Sequence, residues 1–571
     1  MKVSDYIVNF LIEKGVTDVF GMPGGVVLGF LDSMGKRSGE IKVHLNYNEQ
    51  ASAFAACGYA QASGKLSAAY ATRGPGIANM ITGIVESFYD SLPVFFITAH
   101  SHKETLSGAD IRFEQNQEFN TVKMLSSVTK YVVNIERPDD VRYELEKAYH
   151  LAVNGRPGPV LIDFLTSVLN GDIAPESEWF FIPDEPVADE SSSNEAIIDC
   201  IKRELGKAKR PVLLIGDGIR LSDTGEYLRK FVHRWNIPVL SSRFSQDIIP
   251  ISPNYYGYIG SRGTRYGNFI LSKCDLIISL GNRLMFKPDS KSFGVITGRA
   301  KVIRIDGDKN EFLRKIPNTE CFVCDLKNLM PALADSDINW PDNTGWGAVC
   351  KELKDNLYAH DTGFPVNAVS EILKRTPRRM VITSDVGNNE LWLSKAYAFS
   401  GALNRLLFSK SFGTLGCSLP KAIGAYYSTR NRVLCFTGDQ GLQMNMQELQ
   451  LVAKENLPIS IILLNNSASG MIRDEQERRF DSRFLCTTAD SGYGAPNFKK
   501  LAEAFGINYI YCDGNINDAV STRINNDTGP VLVEISLKES ACPLPHLPAG
   551  NAMQNLVPEI SKELYERFDK L

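Results

Sequence analysis

Short runs of apolar residues alternate with helical patterns along most of the chain. The runs are rich in Val, Ile and Leu, and they lack the strict alternation that is typical of a strand with one solvated face. Strands that are buried on both faces belong to parallel sheets covered by helices. The pattern therefore predicts an α/β fold built from doubly wound parallel sheets. The runs are KLSAAYAT, LPVFFITAH, RPVLLIGDG, CDLIISLG, AKVIRID, RMVITSDVG, NRVLCFTGD, ISIILLNN and GPVLVEIS.

Two polar stretches divide this pattern into blocks. The first block closes with the run GRPGPVLIDF, and the acidic, Ser-rich stretch VADESSSNEA that follows is typical of a linker. A second and weaker boundary is ADSDINWPDNTG. We therefore expect three domains of one architecture, at residues 1–185, 190–340 and 355–571, the last of which includes a Pro-rich tail.

Composition and charge limit the class of partner. The 571 residues include 62 basic and 66 acidic side chains, which gives a net charge of -4 and no basic stripe for nucleic acid or for a membrane surface. No apolar run reaches the roughly 18 residues of a membrane span. The first helical pattern contains Asp5 and Glu13, unlike a signal peptide. The weak net charge favours small-molecule partners. The 11 cysteines show no disulfide framework or zinc spacing, so we expect reduced thiols in a cytoplasmic protein.

An aspartate and an asparagine end two consecutive apolar runs. Asp439 follows VLCFTG and Asn466 follows ISIILLN, with a helical pattern between them. A right-handed crossover makes the two strands parallel, so both residues lie at the same edge of the sheet. A carboxylate and an amide oxygen suit Mg²⁺, and the N–H groups that begin the intervening helix suit a diphosphate. The alternative is a plain crossover whose aspartate only caps its helix.

At these residues the chain resembles the thiamine-diphosphate enzymes, whose Gly-Asp-Gly motif is followed one crossover later by Asn-Asn. The resemblance implies that Asp439, Asn466 and the backbone carbonyl of Ala468 bind Mg²⁺. The glycines of the motif contact the diphosphate, and in this chain Gly438, Gln440 and Gly441 occupy that turn. Gln440 replaces the last glycine, so its side chain would crowd the diphosphate unless Gly441 supplies the flexibility instead.

The resemblance extends over nearly the whole chain and is closest to the acetolactate-synthase-like branch of the family. It implies a pyrimidine-binding, a central and a diphosphate-binding domain, and a homodimer or homotetramer with active sites between subunits. The segments that carry it, in the order of the family, are GMPGGVVLGFLDSM, NEQASAFAACGYAQASGK, ATRGPGIANMITGIVESFYDSLPVFFIT, GRPGPVLIDF, SDVGNNELW, GTLGCSLPKAIGA and NNSASGMIRDEQ.

The same resemblance assigns residues around the reacting centre. Glu49 matches the glutamate that hydrogen-bonds the pyrimidine ring nitrogen N1′ of the cofactor and relays its proton. Gly413 matches the glycine whose carbonyl accepts from the pyrimidine amino group, and Leu415 matches the bulky residue that bends the cofactor. Taken singly, Glu49 could be an exposed acid at a helix start, and Leu415 could be ordinary core. Further matches are Gly24 and Gly25, where backbone approaches the centre, Gln117 in the substrate cleft, and Asn388 beside the cofactor.

The middle block carries segments that match the FAD-binding segments of the anabolic acetolactate synthases. These are GYIGSRGTRYGN, SLGNRL and IRIDGDKNEF. FAD would be structural there, because neither decarboxylation nor carboligation uses it. The synthases carry an acidic pair where this chain has MF in GNRLMFKPDS, which argues against FAD. The residues expected to bind it are Gly260, Arg262, Gly263, Asn282 and Asp306.

Three substitutions near the expected reacting centre distinguish the chain from ordinary acetolactate synthases. Asn48 replaces a histidine, residues 388–390 are Asn-Asn-Glu in place of Gln-His-Gln, and Glu475 replaces a tryptophan. Exchanging an aromatic wall for a carboxylate enlarges and polarises the acceptor pocket. We expect it to disfavour a second anionic 2-oxo acid and to favour a neutral or polyhydroxylated carbonyl acceptor such as a keto-sugar. Alternatively, Glu475 points to solvent from a helix face.

The expected function is the decarboxylation of a 2-oxo acid, with pyruvate as the expected donor, and transfer of the two-carbon unit to a carbonyl acceptor. Acetolactate synthase and a simple 2-oxo acid decarboxylase are close alternatives. An oxidoreductase is disfavoured because no GxGxxG follows a strand with an acidic residue at the dinucleotide spacing. A non-catalytic subunit that only binds the cofactor is a further alternative, and retention of Glu49 argues against it.

Overall fold

Three parallel sheets organise the chain in the computed structural model. The structure describes residues 1–101, 117, 119–173, 179–183, 192–250, 252–285, 298–361, 363–514 and 516–570. Within them the named strands form three six-stranded sheets, and all neighbouring strands of each sheet run parallel. This confirms the α/β fold class, with one doubly wound sheet for each block of the sequence pattern.

The first sheet has the strand order β2-β1-β3-β4-β6-β5. Its strands are β1 (Asp18–Gly21), β2 (Lys42–Leu45), β3 (Ser67–Tyr70), β4 (Val94–His100), β5 (Tyr131–Ile135) and β6 (Val160–Leu165). The helices of this part are α1 (Val3–Glu13), α2 (Leu28–Lys36), α3 (Glu49–Ser63), α4 (Pro75–Asp90), α5 (Thr121–Leu125), α6 (Val141–Val153) and α7 (Thr166–Leu169). The residues of β4 and β6 are buried throughout, as expected for strands covered on both faces.

The second sheet has the order β12-β11-β10-β7-β8-β9. Its strands are β7 (Pro211–Ile215), β8 (Val239–Ser241), β9 (Tyr255–Tyr258), β10 (Leu276–Leu280), β11 (Lys301–Asp306) and β12 (Thr319–Val323). The helices are α8 (Asn194–Leu205), α9 (Gly218–Leu221), α10 (Gly225–Trp235), α11 (Arg265–Lys273), α12 (Leu326–Asp335), α13 (Trp346–Leu357) and α14 (Val366–Arg375).

The third sheet has the order β14-β13-β15-β16-β18-β17. Its strands are β13 (Val381–Ser384), β14 (Arg405–Leu407), β15 (Val433–Gly438), β16 (Ile459–Asn465), β17 (Asn508–Cys512) and β18 (Val531–Ser536). The helices are α15 (Asn388–Ser400), α16 (Ser418–Thr429), α17 (Asp439–Met444), α18 (Leu449–Lys454), α19 (Gly470–Arg479), α20 (Phe498–Phe505) and α21 (Asp518–Asn526).

The chain separates into two compact units rather than three. The first unit, Met1–Glu185 with Arg379–Glu390 and Arg405–Ser540, contains the first and third sheets; the second, Pro186–Arg378 with Leu391–Asn404 and Ala541–Leu571, contains the second sheet. The sequence pattern predicts that the tail belongs to the third block, whereas the structure has it in the second unit. It lies there because Arg265 donates hydrogen bonds to the carbonyls of Leu556 and Pro558 and because Phe568, in the last helix α22 (Lys562–Asp569), packs against Phe269. The other expected domain limits remain a prediction.

Helices α3 and α16 join the two halves of the first unit. Both are buried along most of their length, and glycines allow their backbones to touch. A Cβ at Gly58 would lie 2.3 Å from the carbonyl oxygen of Lys421, and one at Gly424 would lie 1.8 Å from that of Ala55. Glu49, the first residue of α3, is therefore carried by an element that packs tightly on the third sheet's side of the unit. In the described part of the chain, no helix has the length and apolar character needed to cross a membrane.

Candidate active site

Asp439 and Asn466 meet at the carboxyl edge of the third sheet. They follow the neighbouring parallel strands β15 and β16, and the end of the Asn466 side chain lies 3.2 Å from both Asp439 Oδ1 and the carbonyl oxygen of Ala468. An amide nitrogen in this position would donate to both oxygens. An amide oxygen in this position brings three oxygen atoms together, from Asn466, Asp439 and Ala468, without a hydrogen-bond donor between them. A bound cation would stabilise this arrangement. The three residues therefore fit Mg²⁺, which prefers oxygen ligands and completes its octahedron with water and phosphate.

The Asp439 carboxyl group is buried and is held by the protein. Burial raises the pKa of Asp439 to about 6, although a hydrogen bond from the Tyr493 hydroxyl opposes this shift. Tyr493 donates to Asp439 Oδ2 over 2.7 Å, and Gln443 donates to the backbone carbonyl of Asp439 over 3.1 Å. A bound divalent cation would favour the ionised form of this carboxyl group. Tyr493 was missed in the sequence because it lies in a loop without periodicity.

The helix that follows Asp439 is shorter than its sequence pattern predicts. The stretch LQMNMQELQLVAKEN, residues 442–456, predicts one helix. In the structure α17 ends at Met444, a 3₁₀ turn covers Met446–Glu448, and α18 begins at Leu449. The break lies at Asn445, whose φ and ψ are -138° and 33° and whose side chain donates to the carbonyl of Gly416 over 2.8 Å. A long-range hydrogen bond therefore outweighs the local helix signal.

The turn at residues 438–441 requires glycine at position 441 and not at position 440. Gln440 is the second residue of α17, is half-buried and has no positive φ. A Cβ on Gly441, by contrast, would lie 2.3 Å from Asp385 Oδ2 and 2.9 Å from Thr437 Oγ1. The backbone at position 440 is therefore compatible with an L-residue such as glutamine. Glycine is required at position 441, because a Cβ there would clash with Asp385.

Asp385 is a buried carboxylate at this sheet edge and is not among the predicted site residues. It accepts hydrogen bonds from the backbone N–H groups of Gly416, at 2.7 Å, and Val386, at 3.0 Å, and from the Thr437 hydroxyl at 3.1 Å. Burial raises the pKa of Asp385 to about 7, and these hydrogen bonds oppose the shift. Its carboxylate thus ties the GTLG turn to the end of β15. Asp385 ends the apolar run RMVITS at the same sheet edge as Asp439, so the rule that found Asp439 would have found it.

The other residues expected to contact the cofactor lie at turns of the same sheet edge. Gly413 has a φ of +73°, which favours glycine at this exposed position, and Leu415 is half-buried two residues later. Gly438 ends β15, and a Cβ there would make an ordinary contact of 3.5 Å with Asn389 Oδ1. Their roles toward the pyrimidine and the diphosphate remain predictions.

Asn388 lies beside the Asp439 cluster. Its side chain donates to Asp474 Oδ2 over 3.1 Å, while its buried Oδ1 atom has no hydrogen-bond partner among the described residues. A Cβ on Gly470 would lie 2.7 Å from Asn466 Nδ2 and 2.9 Å from Asn388 Nδ2, so the two asparagines flank the same glycine. An unsatisfied buried acceptor at this place fits a bound group that carries a donor or a coordinated water.

Glu475 is paired with arginines of its own helix. It contacts the guanidinium of Arg478, lies 3.9 Å from that of Arg479, and keeps 43% of its side chain exposed. The sequence predicts that this carboxylate polarises the acceptor pocket and disfavours a second anionic 2-oxo acid. That premise is corrected, because the charge of Glu475 is offset within α19; whether the side chain lines the pocket remains a prediction.

Glu49 begins helix α3. Asn48 is its N-cap, and the Asn48 side chain accepts from the N–H of Gln50 over 2.8 Å. The asparagine that replaces the family's histidine at position 48 therefore caps this helix. Glu49 Oε2 accepts from Asn79 Nδ2 over 3.0 Å, and Glu49 Oε1 lies 3.3 Å from where a Cβ on Gly76 would be. The carboxyl group is half-buried and is thus available to a bound ligand.

Three further predicted residues lie in the first sheet's loops. A Cβ on Gly24 would lie 2.3 Å from Thr72 Cβ, whereas Gly25 has open space around it. Gln117 is exposed, with a φ of +59°, and its carbonyl oxygen lies 2.1 Å from where a Cβ on Gly74 would be. Most of the segment around Gln117, residues 102–116 and 118, is outside the described residues, so its place in a substrate cleft remains a prediction.

The expected FAD loop in the second unit is closed by hydrogen bonds of its own. Gly260 has a φ of +130°, its N–H donates to Asn268 Oδ1 over 3.1 Å, and its carbonyl accepts from the N–H of Gly263 over 2.9 Å. Arg262 donates to the carbonyl of Pro543 over 2.6 Å. The glycines provide a tight turn, but Arg262 already has a carbonyl partner.

The remaining FAD residues also have partners within the protein. Asn282 donates to the carbonyl of Ile215 over 3.0 Å and accepts from a nearby backbone N–H. Asp306 Oδ1 accepts from the N–H of Asp308 over 3.0 Å. The chain has Met285 and Phe286 where the synthases carry an acidic pair, and residues 286–297 lie outside the described residues. The described contacts therefore fit FAD less well than the Asp439 cluster fits a metal and a diphosphate.

Comparison with known proteins places this architecture in a family. Models described as the N-terminal TPP binding domain, the central domain and the C-terminal TPP binding domain of thiamine pyrophosphate enzymes match residues 1–124, 198–333 and 385–535. The chain is 31% identical to the acetolactate synthase isozyme 2 large subunit of Escherichia coli (strain K12), over 98% of this chain and 100% of that protein. It is 32% identical to the acetolactate synthase large subunit of Lactococcus lactis subsp. lactis, over 96% of this chain and 94% of that protein. The chain therefore belongs to the thiamine pyrophosphate enzyme family.

Proposed function

We propose that the protein decarboxylates a 2-oxo acid, with pyruvate as the donor, and transfers the two-carbon unit to a carbonyl acceptor, with thiamine diphosphate and Mg²⁺. The observation that carries the proposal is the convergence of Asp439, Asn466 and the Ala468 carbonyl within 3.2 Å at one sheet edge. Membership of the thiamine pyrophosphate enzyme family supports thiamine diphosphate as the ligand at this edge. The relatives named acetolactate synthase support both the donor and the carboligation.

The residues divide the chemistry between holding the cofactor and moving a proton. Thiamine diphosphate, when bound, supplies a carbon nucleophile that the protein lacks. Asp439, Asn466 and Ala468 would hold Mg²⁺, and through it the diphosphate. Glu49 would hold a proton at the pyrimidine N1′ atom, and its half-buried carboxyl group at the start of α3 is accessible for this. Asp385 would keep the GTLG turn in place by its hydrogen bond to the N–H of Gly416.

Two acceptors are in competition. The relatives favour a second 2-oxo acid, which would make the enzyme an acetolactate synthase. Glu475 in place of tryptophan favours a bulkier neutral or polyhydroxylated carbonyl compound, such as a keto-sugar. Because Glu475 is paired with Arg478, this second proposal now rests on the missing aromatic wall and not on charge repulsion.

One incubation separates the candidate functions. Purified protein with pyruvate, thiamine diphosphate and Mg²⁺ is analysed by mass spectrometry, alone and with 2-oxobutyrate or a hydroxylated ketone. Adducts of the acceptor establish a carboligase, and acetolactate alone establishes a synthase. Acetaldehyde alone indicates a simple decarboxylase. Absence of all products under conditions where the cofactor binds would refute the proposal and leave a cofactor-binding subunit. Glu49→Gln is the matched inactive control.

We further propose a structural role for FAD in the second unit, supported by the glycine turn between Gly260 and Gly263. Binding there requires Arg262 and Asn282 to exchange the carbonyl partners that they hold. Denaturation of protein reconstituted with FAD should then release unmodified flavin in proportion to protein. Protein that retains no flavin absorbance after reconstitution and gel filtration would refute this role.

We propose a homodimer or homotetramer in which Glu49 and the Asp439 cluster of each active site come from different chains. Family membership supports this arrangement. Mixing inactive Glu49→Gln and Asp439→Ala proteins under subunit exchange should restore part of the activity, because one mixed site then carries both intact residues. Mixed oligomers that form and stay inactive would show that each chain builds its own site. Cell fractionation would test the cytoplasmic location predicted from the sequence.

A further inference from the structure

The carboxylate of Glu448 binds the segment that leads into Glu49. Glu448 Oε2 accepts from Asn46 Nδ2 over 2.8 Å, and Oε1 accepts from the backbone N–H of Tyr47 over 2.9 Å. The backbone of Asn48 hydrogen-bonds the same carboxylate. Glu448 and Asn46 are both 0% exposed, although they lie 402 residues apart in the chain. Two distant segments of the first unit are thus joined through one buried side chain.

The charge of Glu448 is compensated by hydrogen-bond donors rather than by a cation. The salt bridges among the described residues include none with Glu448, and its partners are amide N–H groups. Burying a carboxylate without a cation is unfavourable unless its hydrogen bonds are well formed. Burial accordingly raises the pKa of Glu448 to about 7, while the donors oppose the shift. An apolar side chain of similar size would be buried at a lower cost in free energy. We therefore look for a role of the carboxylate in the hydrogen bonds that its oxygen atoms accept.

The three residues that Glu448 binds, Asn46, Tyr47 and Asn48, directly precede Glu49. Asn48 is the N-cap of α3, and Glu49 is the first residue of that helix. Fixing the backbone at positions 47 and 48 fixes the direction in which the Glu49 side chain leaves the helix start. A second contact lies beside it, because Asn445 Nδ2 lies 3.4 Å from Gln50 Oε1 and donates to the carbonyl of Gly416.

We propose that Glu448 is a positioning residue for Glu49. Its carboxylate holds the Asn46–Asn48 segment so that the Glu49 carboxyl group is presented in one orientation to the pyrimidine of the cofactor. The 3₁₀ turn that carries Glu448 directly follows α17, which begins at Asp439. The same stretch of chain therefore holds the metal site at one end and orients the proton relay at the other. This inference rests on the proposed function, because it assumes that Glu49 serves the cofactor.

Hydrogen–deuterium exchange of the apo-protein tests the clamp without turnover. Glu448→Gln keeps the shape of the side chain but turns one acceptor into a donor that faces N–H groups. Peptides that contain Tyr47 and Asn48 should exchange about tenfold or more faster in this variant. Asp18→Asn is the matched control, since Asp18 is also 0% exposed and accepts from His44 and Arg430, without a hydrogen bond to residues 46–49. Unchanged exchange at Tyr47 and Asn48 in Glu448→Gln would overturn the clamp.

Kinetics test whether the clamp acts through Glu49. Glu448→Gln should lower kcat for pyruvate decarboxylation about tenfold, as misplacement of a catalytic group does, with cofactor affinity within about twofold of wild type. In a Glu49→Gln background the same change should cause no further loss. An equal loss in both backgrounds would show a general structural effect and overturn the proposal. Asn46→Ala, which removes one donor, should give a smaller loss of the same kind if Glu448→Gln does not fold.

The two readouts separate this inference from the proposed function. If the wild-type protein binds the cofactor but forms no product, the proposed function fails, while the exchange experiment still decides whether Glu448 holds the Asn46–Asn48 segment. If the wild-type protein is active and Glu448→Gln matches it in kcat, the proposed function stands and the positioning role is refuted.

Discussion

The substitution Gly441→Ala tests whether the close contact between Gly441 and Asp385 is needed by the turn at residues 438–441. A Cβ on Gly441 would lie 2.3 Å from Asp385 Oδ2, where ordinary contacts begin at 3.4 Å. The carboxylate cannot retreat freely, because its other oxygen accepts from the N–H of Gly416 over 2.7 Å. Overpacking of this kind costs about 1–3 kcal/mol. The apo-protein can relieve it by releasing Gly416, but binding must restore the GTLG turn. Gly441→Ala should therefore raise the Kd for thiamine diphosphate about 5- to 150-fold.

Calorimetric titration of apo-protein with thiamine diphosphate at saturating Mg²⁺ measures this effect. Gln440→Ala and Gln440→Gly are matched controls in the same helix, and both should stay within about threefold of wild type because the backbone there is unstrained. Thermal unfolding of each apo-protein verifies that the variants fold. Wild-type affinity in Gly441→Ala would refute the role of the Asp385 contact. A larger loss in Gln440→Gly than in Gly441→Ala would show that position 440 is the one that matters.

Further changes probe the rest of the site. Glu49→Gln should keep the fold and the cofactor affinity but lower turnover by a factor on the order of 10² or more, and near wild-type decarboxylation would contradict the proton relay. Asp439→Ala should abolish Mg²⁺-dependent cofactor binding, so equal titrations of wild type and variant would show that the metal site was misplaced. Glu475→Trp should shift the acceptor preference from a neutral ketone toward 2-oxobutyrate in a competition assay. Glu475→Gln should change this preference less than about threefold, since Arg478 already offsets the charge of Glu475. Equal shifts in the two variants would show that the charge of Glu475 does repel the 2-oxo acid. The free energy of unfolding of the apo-protein should fall from about pH 4 to about pH 7, because burial raises the pKa of Asp385 to about 7 and the folded state is stabilised only while this carboxyl group is protonated. Chemical denaturation of Asp385→Asn should show a smaller fall.

The fold was predictable because its signals are local. Strands such as β15 and β16 are buried on both faces, so their apolar runs appear in the sequence without any knowledge of their neighbours. The misplaced features depend on distant partners instead. The tail belongs to the second unit because Arg265 binds its carbonyls, and the helix after Asp439 breaks where Asn445 reaches Gly416. The local sequence pattern does not indicate any of these three hydrogen bonds.

The candidate site was predictable where topology alone decides it. Asp439 and Asn466 end neighbouring parallel strands, so their meeting follows from the crossover rule. Tyr493 and Glu448 are different. Tyr493 lies in a loop without periodicity, and the helical pattern that contains Glu448 does not show which distant segment its side chain contacts. Glu475 shows the converse error, because the carboxylate expected to disfavour an anionic acceptor has its charge offset by arginines of its own helix.

The position of Gln440 shows why a motif can be misread when its physical cause is not known. A glycine in a phosphate-binding turn can be required by a positive φ or by a lack of space, and the two causes can fall on different residues. Here no positive φ occurs in the turn, and the crowding falls on Gly441, because Asp385 stands against it. Substitution at position 440 therefore leaves the backbone of the turn unchanged. What must be preserved is the contact between a residue without a Cβ and a buried carboxylate that also holds the GTLG turn. A variant that retains Asp385 and Gly441 should keep the turn even where the motif is incomplete.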